Sequence, residues 1–85
     1  MKSIEISVQI TPIDMGFLRA TSPELPGLYS ASKRLDDLLA DVRLGIADLL
    51  TTSDASYAVG EPKKVAAEKY VFRADQIDTN FRRAC

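Results

Sequence analysis

The chain contains no histidine and no tryptophan, and its single cysteine, Cys85, is the last of 85 residues. Without histidine, the chain lacks the usual general base and the commonest metal ligand. One cysteine cannot close an intrachain disulfide or supply a cysteine-based zinc site. This cysteine usage fits a protein of the cytoplasm, where thiols stay reduced.

A basic excess and a long apolar run are also missing. The net charge is −1, from 11 Lys and Arg against 12 Asp and Glu, which argues against a nonspecific nucleic-acid coat. The N-terminus, MKSIEISVQI, alternates polar and apolar residues, so we predict neither a signal peptide nor a membrane span there. At 46% hydrophobic and 27% charged residues, the composition is that of one small globular domain.

Alternation of polar and β-branched residues gives the clearest strand signal. Ile4, Ile6, Val8 and Ile10 recur at a period of two, and Pro12 then removes a ladder donor. Shorter segments with β-forming residues follow. We predict strands over residues 4–10, 17–22, 28–31 and 69–74.

Residues 33–51 carry apolar side chains at helical spacing. The stripe consists of Leu35, Leu38, Leu39, Val42, Ile46, Leu49 and Leu50. We expect Ser32 to cap the helix start, where Asp36 and Asp37 suit the positive end of the helix dipole. Gly45 inside the helix costs about 1 kcal/mol relative to alanine, so we expect it to mark a close approach of two backbones.

These elements predict an α+β fold with the order β-β-β-α-β, in which one amphipathic helix covers one face of a small antiparallel sheet. Residues 1–74 would form a single domain, with 51–64 mostly loop. Residues 75–85 would be a short helix or a tail. Because unpaired strand edges need protection, we expect a homodimer.

The stretch SPELPGLY, residues 22–29, separates two of the predicted strands. Pro23 and Pro26 bias Ser22 and Leu25 towards extended conformations, and Gly27 permits a positive φ or a close backbone contact. Two interpretations follow from these residues. The stretch is either a rigid connector, with Leu25, Leu28 and Tyr29 as its anchors, or a loop that grips a ligand.

The segment ATSPELPGLYSASKRLDDLLADVRLGIADLL resembles the HicB family of antitoxins and a short relative of HicB known only as a domain of unknown function. The resemblance covers roughly residues 1–50, a little over half of the chain. Its pattern is carried by Ser22, Pro23, Glu24, Leu25, Pro26 and Gly27, followed by Leu35, Asp36 and Asp37.

The resemblance implies a reduced RNase H-type fold, a HicB-like domain without catalysis that binds HicA, a small basic toxin that cleaves mRNA through a histidine. Two features depart from the family. Arg34 stands where the family usually has Thr or Ser as the helix cap. After Thr51 the chain has too few residues and too little helical periodicity for the DNA-binding domain that many HicB antitoxins carry, which argues against DNA binding.

Acidic residues are the candidates for a nuclease site. Asp14 and Glu24 lie in predicted turns, the other candidates lie along the helix, and the strand interiors offer only Glu5. Magnesium needs carboxylates that converge on one point. We therefore predict no catalytic residue, no metal site and no cofactor.

The outer side of the helix is one candidate surface for a protein partner. Asp37, Asp41, Leu44 and Asp48 share this side at helical spacing. It is either a solvated acidic face or a docking stripe for a basic partner, with Leu44 as the apolar anchor. Charge would then speed association and set specificity.

The sheet face turned away from the helix is the other candidate. In the second strand Leu18 and Ala20 would face the core, so Phe17, Arg19 and Thr21 would face the other way. Phe and Arg are residue types that anchor interfaces. The alternative is a mixed polar surface, and the pattern does not choose between the two faces.

The leading hypothesis is a HicB-like antitoxin, or an antitoxin-derived binding protein, that neutralises a small RNase toxin. One alternative is a stand-alone adaptor or inhibitor, of phage or cellular origin, that binds another protein. A nucleic-acid-binding or metal-dependent nuclease domain is the third.

Overall fold

The computed structural model describes residues 3–52 and 55–77. In these ranges one helix packs on an antiparallel sheet, which confirms the predicted α+β class. The elements are β1 (Ser3–Pro12), β2 (Leu18–Thr21), β3 (Tyr29–Ser32), α1 (Leu35–Leu50), β4 (Ser56–Val59), β5 (Lys63–Ala66) and β6 (Lys69–Ile77), with a 3-10 turn (Asp14–Gly16) between β1 and β2.

The predicted order β-β-β-α-β is wrong after the helix, where three strands follow instead of one. Residues 51–64, predicted to be mostly loop, contain β4 and the start of β5. Both strands are only four residues long, which is too short for a period of two to be recognised in the sequence. In addition, every residue of β5 is exposed, so this strand has no alternation of buried and exposed residues. The last strand runs to Ile77, beyond the predicted domain end at residue 74, and the rest of the predicted tail lies outside the described residues.

β6 organises the sheet, whose order is β3-β2-β1-β6-β4, with β5 also paired to β6. β1 pairs with β6 from Ser3 to Gln9 and with β2 from Gln9 to Pro12. β1 therefore changes its main partner about half way along. On the side towards β2, its first residues extend past the end of that strand.

The core lies between α1 and the sheet. Ile6, Val8 and Ile10 of β1 are buried and Ile4 is half-buried, as the alternation predicts. β6 buries alternate residues in the same way, from Tyr70 to Ala74. The largest fully buried side chains are Phe72, Ile6, Leu38, Ile46, Val8 and Val42. A single apolar layer of this kind supplies most of the stability of so small a domain.

The start of α1 differs from the prediction. Arg34 occupies the N-cap position and makes no side-chain cap, while the Ser32 hydroxyl only accepts the Arg34 N–H at 3.4 Å. Ser32 is thus not the helix cap. Gly45 does mark a close approach, but to a side chain rather than a backbone, because a Cβ there would lie 3.0 Å from Leu28 Cδ1.

Candidate binding surfaces

The connector between β2 and β3 is held by its own acidic residue. Glu24 Oε1 accepts the backbone N–H of Ser7 at 3.0 Å and the hydroxyl of Ser22 at 3.1 Å. Ser22 is buried, and the Leu28 N–H donates to the Leu25 carbonyl oxygen at 2.9 Å. These contacts hold the segment against the sheet and support the connector interpretation.

Glu24 takes the place of a neighbouring strand. Ser7 lies beyond the end of β2, and its N–H points to the same side as that of Gln9, which pairs with Thr21. A bare edge N–H would be a template for another strand. The Glu24 carboxylate covers it, so we assign this residue a structural role in protecting the edge.

The same contacts set the acidity of Glu24. Partial desolvation alone would raise the pKa of its carboxyl group. The hydrogen bonds from the Ser7 backbone and from the Ser22 hydroxyl outweigh this effect and lower the pKa below its ordinary value. Glu24 is therefore ionised in the folded domain at neutral pH.

The predicted helix stripe lies where the sequence places it. Asp37, Asp41, Leu44 and Asp48 are all exposed and share one side of α1. Leu44 is 67% exposed and is the apolar member of this set. We call these four residues the acidic stripe.

A groove adjoins the acidic stripe and was not predicted. It has a volume of about 750 Å³ and lies between the outer side of α1 and the connection from β4 to β5. Its lining is mainly apolar, with charged groups on the rim. The lining residues are Asp36, Leu39, Ala40, Arg43, Leu44, Ala47, Val59, Glu61 and Pro62.

Arg43 fixes one wall of this groove. Its Nε donates to the Val59 carbonyl oxygen at 2.7 Å, and its Nη1 lies 2.9 Å from Glu61 Oε1. The guanidinium therefore ties the end of β4 to the helix. Leu44 belongs both to the groove and to the acidic stripe, so the two features form one continuous surface.

The sheet face turned away from α1, here called the helix-distal face, is polar. Residues directly opposite each other in paired strands share a face. By this rule it contains Glu5, Ser7, Gln9, Arg19, Thr21, Tyr29, Lys63, Lys69, Val71, Arg73 and Asp75. The predicted outward direction of Arg19 agrees with this register, whereas Phe17 lies just before β2 and outside the strand pairs.

One end of the helix-distal face holds unpaired positive charge. Lys33 Nζ lies 5.3 Å above the centre of the Phe17 ring. Arg19 is half-buried, and its Nε is fully buried without a hydrogen-bond partner among residues 3–52 and 55–77. An unsatisfied buried donor costs about 1–3 kcal/mol of stability, so the unpaired Nε of Arg19 calls for a physical explanation.

The other end of this face is internally neutralised. Arg73 Nε lies 3.0 Å from Asp75 Oδ1, and Ser3 Oγ donates to the same oxygen at 2.6 Å. The hydrogen bond from Ser3, and after it the one from Arg73, lowers the pKa of Asp75. The cation at this end is thus already paired.

The described residues contain no group of three His, Cys, Asp or Glu placed to hold a metal ion. No helix in the same part of the chain is long and apolar enough to cross a membrane. Comparison of the chain with family models, with curated proteins and with solved structures found no match.

Proposed function

We propose that this domain is a cytoplasmic protein-binding module that neutralises a small basic RNase toxin, as HicB antitoxins do. The resemblance of roughly residues 1–50 to that family supplies the class of partner, and the reduced RNase H-type fold belongs to the same proposal. The surface formed by the acidic stripe and the adjoining groove supplies the place where such a partner would dock.

The observation that carries the proposal is the position of Leu44. Covering an aliphatic side chain that is 67% exposed on a helix removes apolar surface from water, which favours binding. Asp37, Asp41 and Asp48 lie along the same side of the helix, and of these Asp37 lies 3.9 Å from Arg34 Nε. A basic partner is steered by these carboxylates and then anchored at Leu44 and the groove.

The domain itself performs no catalysis under this proposal. It acts by covering the toxin surface that binds RNA, which is basic because it contacts phosphates. The carboxylates of the acidic stripe would compete with RNA for the same cations. The effect is stoichiometric inhibition rather than turnover.

The test compares two exposed aliphatic positions. Leu44→Asp changes the proposed surface, while Val65→Asp changes a residue on β5 that is 54% exposed and outside the groove. Each tagged protein is used to capture partners from a lysate of the source organism. We look for a small basic histidine-containing protein that the wild type and Val65→Asp retain and that Leu44→Asp loses. This protein is then purified.

Its RNA cleavage is followed with each domain variant added at equal concentration. We expect the wild type and Val65→Asp to stop RNA cleavage. Leu44→Asp should inhibit cleavage about tenfold or more weakly, which is the size of effect expected when a hot-spot residue is lost. A captured protein that cleaves RNA equally well with and without the wild-type domain contradicts the proposal. Capture of a larger assembly without RNase activity favours the adaptor function.

A further inference from the structure

A second surface with the opposite charge lies at the Phe17 end of the helix-distal face. Arg19 stands there between Thr11 of β1 and Ala31 of β3, with its Nε buried and unsatisfied among the described residues. Arg19 is only half-buried and forms no salt bridge with another described residue, so the accessible part of its positively charged side chain can pair with an oxygen that a ligand brings. Arg19 therefore points to an anionic or carbonyl-bearing ligand.

The neighbouring cations strengthen this interpretation. Lys69 faces the same way beside Gln9, and Lys63 lies opposite Val71 in the next row. Neither lysine forms a salt bridge with any other described residue. The acids nearest in sequence to the two lysines are Glu61, which is paired with Arg43, and Glu68 in the turn before β6. Glu24, which is near Arg19 in sequence, has its carboxylate already held by Ser7 and Ser22. Positive charge is thus concentrated at this end.

An exposed aromatic ring distinguishes between the anions that this surface can take. Tyr29 is 63% exposed and lies in the same row of the sheet as Thr21, Gln9 and Lys69. An acidic peptide would use the cations but has no need of the ring. A nucleic-acid strand uses both, because its phosphates pair with Lys and Arg while its bases stack on aromatic faces.

We infer that this end of the helix-distal face binds a short stretch of single-stranded nucleic acid through Arg19, Tyr29, Lys63 and Lys69. The sheet presents the ring and the cations on one face. Recognition is by stacking and charge, so it is tolerant of sequence and dependent on salt. The inference stands apart from the toxin-binding proposal, which uses the opposite side of the domain.

The experiment measures fluorescence anisotropy of a fluorescein-labelled oligonucleotide of about 12 nucleotides, within the range of known single-strand sites. RNA and DNA of the same mixed sequence are titrated with the full chain. We expect binding by one or both, weakened about tenfold when salt rises from about 50 to about 200 mM. A preference for RNA indicates contacts to the 2′-hydroxyl group.

Three variants locate the site. Arg19→Gln and Tyr29→Ala should each weaken binding by about tenfold, while Arg73→Gln, at a cation on the same face already paired with Asp75, should change it less than about twofold. Tyr29→Ala alters an exposed residue and so tests the surface even if Arg19→Gln disturbs folding. Circular dichroism checks that each variant is folded.

Two results would overturn the inference. One is the absence of any anisotropy change with either oligonucleotide at low salt. The other is displacement by polyglutamate as effective as that by unlabelled oligonucleotide, together with an unchanged affinity of Tyr29→Ala. This second result assigns the surface to an acidic protein segment instead.

Discussion

The two faces of the sheet differ in how deeply their side chains are buried. The helix-covered face presents Ile6, Val8 and Phe72, which are almost completely buried. The helix-distal face presents alternate residues of the same strands, among them Val71 and Arg73, which remain half-buried or exposed. The same strand thus contributes to the core on one side and to the outer surface on the other.

The two outer surfaces also differ in charge, and the net charge alone does not reveal this difference. The net charge of −1 argues against a nonspecific nucleic-acid coat. It is a sum over an acidic helix surface and a basic end of the sheet, which lie on opposite sides of the domain. A small net charge therefore does not describe either surface.

The largest expected effect follows from neighbouring positions on β6 that face opposite ways. Phe72→Ala should lower the free energy of unfolding by about 3–5 kcal/mol, because it leaves a cavity under α1. Val71→Ala removes two methyl groups from the helix-distal face and should cost about 1 kcal/mol or less. Urea unfolding followed by circular dichroism measures both. Equal losses of unfolding free energy would mean that side chains on the helix-distal face are packed as tightly as those under α1.

The sequence predicts the parts of the fold whose burial pattern is long and regular. β1 and α1 are found because ten and sixteen residues repeat their periods several times. β4 and β5 are missed because each is held by its pairing with β6 rather than by its own pattern. Four residues are too few to display a period.

The features of the candidate surfaces also differ in how far they can be predicted from local sequence. The acidic stripe and the direction of Arg19 follow from local spacing, so both are predicted correctly as positions. The groove joins α1 to Val59 and Pro62, and Glu24 bonds to a residue 17 positions away. Contacts of this kind depend on the register of distant strands, which a single sequence does not state. The homodimer stays a prediction.

The next effect concerns the part of the β1 edge, at Ser7, that Glu24 covers. Glu24→Ala removes the acceptor of the Ser7 N–H and should lower the free energy of unfolding by about 1 kcal/mol. The freed edge should also increase self-association, measured by sedimentation velocity. Glu24→Gln keeps an oxygen at this position and serves as the control, with a smaller loss and no added self-association.

The contribution of Glu24 should depend on pH. Because hydrogen bonds lower its pKa in the folded state, the folded domain binds fewer protons than the unfolded chain as the carboxyl group titrates. The stabilisation is fully present above the ordinary glutamate pKa and is lost as the pH falls through the lowered value. The difference between the wild type and Glu24→Gln should thus shrink in acid. A difference that grows in acid would contradict the assigned sign.

The smallest effect tests how tightly α1 sits on the helix-covered side. Gly45→Ala gains about 1 kcal/mol in helix propensity, but its new Cβ would lie 3.0 Å from Leu28 Cδ1. We expect the two terms nearly to cancel, so that the free energy of unfolding changes by less than about 0.5 kcal/mol. Thermal and urea unfolding of the single variant measure this sum but not its parts.

A double-mutant cycle with Leu28→Val separates the two terms. Valine lacks the Cδ1 atom that the new methyl group would meet, so Gly45→Ala should stabilise the Leu28→Val protein by about 1 kcal/mol. A gain of that size already in the wild type would mean that Leu28 moves aside without cost. The glycine would then reflect neither close packing nor a backbone requirement, since its φ lies outside the left-handed region.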